Sequence, residues 1–227
     1  MAALLNQRLS LITRNNKLKK FFYESNITWP RIIILAIVCG IIPGLLMLPA
    51  GLKDTSFHRP GETFEFWIFL AMFIILNSKK PLEAGLKTFV FFLISQPLIY
   101  LVQVPFSTMG WQLFSYYPFW AAFTVATFPG AMIAWYTKKG NYLGMLILTV
   151  ANVLLCNHLA TCIRMLILRF PHYLVAVAFI AAQLYIYPQL LFTNKKMRGL
   201  CYAIEGICLL VCAFLEYRSY MASLVWM

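Results

Sequence analysis

The sequence predicts an all-α membrane helix bundle of about seven spanning helices, N-terminus cytoplasmic, preceded by an amphipathic helix on the membrane surface. Three observations carry that prediction. Of the 227 residues, 62% are apolar and only 11% charged, whereas about a quarter of a soluble domain is charged. The apolar residues gather into runs of about 20, the number that crosses ~30 Å of hydrocarbon as a helix. The formal charge of +12 sits in short clusters beside those runs, which is an orientation signal rather than a nucleic-acid surface.

Residues 1–28 form a basic amphipathic segment. Leu4, Leu5, Leu11, Ile12 and Leu18 recur at heptad-like spacing among Arg8, Arg14, Lys17, Lys19 and Lys20, so one face suits the lipid and the other the headgroups. No uninterrupted apolar core precedes the basic residues, and a cleavable signal peptide is not expected. Residues 29–227 read as a single transmembrane domain with spans near 31–52, 62–78, 85–105, 117–137, 142–164, 172–192 and 199–218. If the N-terminus is inside, fourteen of the 19 basic residues fall on the inner side, among them Lys79, Lys80, Lys138, Lys139, Lys195, Lys196 and Arg198. Only Lys53, Arg59, Arg164, Arg169 and Arg218 fall outside, which puts the C-terminus out. The plasma (cell) membrane is the expected location, and the lipid bilayer is the expected partner. Trp111, Tyr116, Tyr117, Trp120, Tyr173, Tyr217 and Tyr220 mark the outer boundary, where amphipathic rings settle.

Four spans carry an internal proline: Pro43, Pro97, Pro129 and Pro188. Each removes a backbone donor and frees a carbonyl one turn earlier, which in lipid needs a new partner or a water-lined cavity. Pro43-Gly44 and Pro129-Gly130 are 86 apart; Gln96 and Tyr100 are 87 from Gln183 and Tyr187. Spans one to three repeated, inverted, as four to six would give the broken-helix architecture of secondary transporters.

The polar residues of the spans are the candidate ligand groups. Glu205 lies ~9 Å inside the inner end of the last span, where an ionised carboxylate needs a partner or a proton. It shares a helix face with Cys201, Cys208, Cys212 and Glu216, a stripe ~22 Å long that one metal ion cannot bridge. The stripe reads mainly as a close-packing seam with one buried acid. The six cysteines make no CxxC or zinc spacing, so neither metal nor cofactor is expected. Gln96, Tyr100 and Gln103 line one face of span three, Gln183 and Tyr187 one of span six, and Asn157, Thr161 and Arg164 one of span five. They fit a polar interior that binds a solute or a proton, while each alone also serves as interhelical glue.

His58, His158 and His172 fall near the outer face with Asp54, Glu62, Glu65 and Glu216. Of these, His158, Glu216, Glu62 and Glu65 are the catalytic candidates for an outward-facing acid–base site. No HExxH, GxSxG or phosphate loop occurs. The expected function is therefore a small transporter or solute-binding membrane subunit for a small polar solute. The alternatives are a membrane-embedded enzyme and a non-catalytic assembly or sensor subunit.

Overall fold

The computed structural model of the protein describes residues 19–225. The basic segment lies mostly outside that range, apart from helical backbone over 19–24. Seven α-helices follow: α1 (Trp29–Leu46), α2 (Glu65–Asn77), α3 (Pro81–Gln103), α4 (Tyr117–Ala134), α5 (Tyr142–Leu168), α6 (Leu174–Leu191) and α7 (Lys195–Val225). Short 3₁₀ turns join them, and the described residues contain no strand. Each predicted span overlaps one of these helices. Five segments are long and apolar enough to cross a membrane, namely α1, α3 with its 3₁₀ extension to Phe106, α5, α6 and α7. With only 13 residues, α2 is ~20 Å long and falls short of the ~30 Å core.

The helix ends follow local chemistry. Pro30 and Pro81 stand in the first turns of α1 and α3, where no N–H is missed. Asn141 caps α5 by accepting from Gly144 N at 2.9 Å. Gly140, at φ +60, makes the left-handed turn between α4 and α5 that a side chain would resist.

Among the described residues the bundle has two large cores with α2 between them, and a small third cluster of Ile75, Ala84 and Ala131 from α2, α3 and α4. Ile32, Ala36, Trp67, Ile74 and Phe91 form one, from α1, α2 and α3. Leu148, Leu155, Cys156, Ile180, Tyr187 and Cys201 form the other, from α5, α6 and α7, and Met72 and Leu76 of α2 join it. The closest crossing is α1 on α3. A Cβ added at Gly40 would lie 2.7 Å from Leu98 Cβ and 2.8 Å from Ser95 O, and one at Gly44 would lie 3.0 Å from Ile99 O. These two glycines, four residues apart, let the backbones touch. No comparable crossing joins α4 to α6, so helices four to six are not packed as a copy of one to three. The inverted repeat is not reproduced in the packing.

The end of the bundle where α2 meets α3 is held by two lysines, Lys87 buried and Lys138 half-buried. Lys87 sits inside α3 and donates to Ile27 O at 2.5 Å and to Glu83 at 2.6 Å. Lys138 donates to Leu76 O and Ser78 O at 2.9 and 2.8 Å, satisfying carbonyls at the end of α2. Trp135 Nε1 adds a 3.0 Å bond to Ser78 O.

Candidate functional site

Two neighbouring features of the bundle form the candidate site. The first is polar. Glu65 opens α2 and is 3% exposed. Arg59, from the preceding 3₁₀ turn, donates through Nε to Glu65 Oε1 at 2.5 Å and through Nη2 to His158 Nδ1 at 3.4 Å. His158 Nδ1 also lies 3.7 Å from Glu65 Oε2, an oxygen without a hydrogen-bond partner. The Arg59 guanidinium also lies 5.9 Å from the Tyr173 ring centre.

The second feature is apolar. A cavity of ≈ 290 Å³ lies between α2, α3 and α4, lined by Phe64, Trp67, Thr88, Phe92, Phe123 and Ala131 among others, with Ala151 of α5 at one side. Trp67 and Thr88 are each 1% exposed, and neither Trp67 Nε1 nor Thr88 Oγ1 has a partner. Two residues of a largely apolar wall thus carry unsatisfied hydrogen-bond donors, a costly arrangement unless something accepts from them.

The two features share helix faces. On α2, Glu65, Ile68, Met72 and Ile75 recur at i, i+3, i+7 and i+10, and the last three line the cavity. On α5, His158 stands two turns beyond Ala151. Phe64 separates them: its ring packs 6.0 Å from His158 and 4.9 Å from Phe123.

Of the four catalytic candidates, the structure joins only Glu65 and His158. Glu62 pairs with His58 at 3.2 Å on the loop. Glu216 accepts from Thr161 and pairs with Arg164 at 3.0 Å between α5 and α7, while Asn157 is exposed. Glu205 accepts from Asn152 Nδ2 at 2.5 Å and lies in the α5–α7 seam, lining none of the cavities. Cys201 and Cys212 are buried in that seam, and the described residues hold no cluster of metal-ligating groups.

The other expected ligand groups are dispersed. Gln96 is buried with Nε2 unpartnered, Tyr100 stacks near Phe114 and Tyr117, and Gln103 donates to Ile99 O at 2.9 Å. Tyr187 donates to Gln183 Oε1 at 2.7 Å. Pro43, Pro97, Pro129 and Pro188 do lie inside helices, but they do not converge on a polar chamber. Gly130, beside Pro129, lines the central cavity, and that cavity is apolar. The polar cavity expected from the broken helices is thus replaced by a greasy one. Sequence reading missed Trp67 and Thr88. The signal available was a hydroxyl and an indole on largely apolar helix faces.

No protein-family model, curated protein or solved structure matches the chain. Fold and composition define its class: a helical integral membrane protein, with five helices able to cross the bilayer.

Proposed function

We propose that the protein is a multi-pass protein of the cell membrane that binds a small solute, as a transporter or as the solute-binding subunit of one, and that it crosses the bilayer seven times with its N-terminus inside. The ligand is a predominantly apolar molecule carrying a hydrogen-bond acceptor. The observation behind this reading is the ≈ 290 Å³ apolar cavity with unpaired donors at Trp67 and Thr88. Its size lies at the lower edge of the ~300–1,000 Å³ of ordinary small-molecule pockets. Apolar walls with a few placed polar groups are the usual composition of such sites.

Benzophenone tests the proposal, because it pairs an apolar body with one carbonyl acceptor and cross-links on illumination. The expected result is labelling concentrated on α2, α3 and α4 peptides and lost in Ala131→Phe, which fills the cavity. Trp67→Phe with Thr88→Val should lower labelling about fivefold, the worth of one hydrogen bond of ~1 kcal/mol. Labelling spread evenly over the lipid-facing helices and unchanged in Ala131→Phe would overturn it.

A second reading, a membrane-embedded acid–base enzyme, is favoured by the buried Arg59–Glu65–His158 contact. It predicts that His158→Gln stops chemical conversion of a bound molecule, read by mass spectrometry of lipid extracts, while binding persists.

A further inference from the structure

A groove separate from the central cavity runs down one face of α6. The α6 backbone lies close to α5 and α7 and leaves a gap toward α1 and α2. At its outer end the gap holds a ≈ 170 Å³ space lined by Arg59, Glu65, Val175, Ala176 and Phe179 among others. Further in, a ≈ 260 Å³ space is lined by Phe21, Phe69, Phe179, Ala182, Gln183 and Ile186 among others. Phe179 belongs to both, and its ring meets that of Phe69 at 5.5 Å. The α6 residues involved, 175 and 176, 179, 182 and 183, and 186 and 187, keep helical spacing, so the two spaces lie end to end on one stripe. From Val175 to Tyr187 the stripe rises ~18 Å, little more than one leaflet of a ~30 Å core. Val175, Ala182 and Phe21 are exposed at its rim, so the groove opens sideways to lipid.

A residue lining each space carries one buried polar atom without a hydrogen-bond partner. At the outer end it is Glu65 Oε2, and at the inner end it is Gln183 Nε2. We propose that the groove binds a single-chain amphiphile with a neutral hydroxyl head, the hydroxyl donating to Glu65 and the chain passing Phe179 toward Gln183. The head must carry a donor, because a carboxylate oxygen only accepts. It must be uncharged, because Arg59 already neutralises Glu65: an ammonium head would leave a net positive charge and a carboxylate head a net negative one, both buried. One chain suffices, since the two spaces are narrow and in line. Gln183 Nε2 is left to a chain oxygen or a water drawn in behind it.

The test uses the full-length protein in phosphatidylcholine vesicles with a hexadecanol that carries a photoreactive diazirine in mid-chain. Cross-links are mapped by mass spectrometry, and competition is measured with hexadecanol, its methyl ether and hexadecylamine. Expected are cross-links on Phe69, Phe179, Ala182 and Ile186, with hexadecanol competing at least about tenfold better than the ether or the amine. In Glu65→Gln that preference over the ether should fall toward one, a ratio insensitive to how much protein folds. Ala182→Trp, at an exposed rim position, should remove the cross-links without touching the polar end. Cross-links scattered over α7, or alcohol and ether competing equally in the wild type, would overturn the proposal. Preference for the amine would overturn the neutral head.

Discussion

Glu205, the acid that the sequence singles out as a ligand or proton group, sits in the α5–α7 seam beside Asn152. Its side chain accepts from Asn152, and it lines none of the three cavities described above. Asn152→Leu should therefore destabilise the protein by about 1–3 kcal/mol by stranding a buried acceptor. Adding Glu205→Leu should recover part of the loss, because removing both partners is milder than removing one. Thermal unfolding in one detergent reads both effects. If Asn152→Leu is silent, the seam is hydrated and Glu205 regains its claim as a proton site. Lys138 offers a pH test at the inner end. Burial holds its ammonium below the ordinary lysine range, with Glu83 opposing. A lysine lowered in the folded state binds fewer protons there than in the unfolded chain, so stability rises as pH climbs from the folded value toward ~10.5. The wild type should gain on Lys138→Gln between neutral and alkaline pH, measured as paired melting curves. Glu65 and His158 were legible as outer-face polar groups. That they meet while Glu62 and Glu216 pair elsewhere was not, because partner choice depends on how helices rotate, and long loops leave that free.

Each helix was legible from apolar runs and flanking lysines, since both reflect transfer free energy, which adds along the chain. The proline breaks were legible as well, but their consequence was not. A freed carbonyl can be satisfied locally or buried against a neighbour, and nothing in one strand of sequence distinguishes these from a wet chamber. The Gly40–Gly44 spacing was the overlooked clue to the tightest crossing. Gly40→Leu would drive side-chain atoms into Leu98 and the Ser95 carbonyl, and should cost about 1–3 kcal/mol as an overpacked contact. Gly51, with nothing within 4 Å, is the control: Gly51→Ala should stay within about 0.5 kcal/mol. Equal losses at both positions would mean that α1 does not lie against α3.

The bundle as a whole divides into α1, α3 and α4 on one side and α5, α6 and α7 on the other, with α2 shared. The proposed topology places residues 53–62 outside and 138–141 inside. Single cysteines introduced at Phe57 and at Lys139 in a background with the native ones removed should react with an impermeant maleimide from opposite sides of intact cells. Labelling of both from one side would mean that α2 or α4 turns back within the membrane.

The shortness of α2 is tolerated because the helix meets protein rather than lipid. None of its residues is exposed, so the ~10 Å by which a ~20 Å helix falls short of the hydrocarbon layer is made up by its neighbours and by the loop that carries Arg59. Matching the thickness of the membrane is then the work of the helices around it, and α2 is released from the length that spanning would impose.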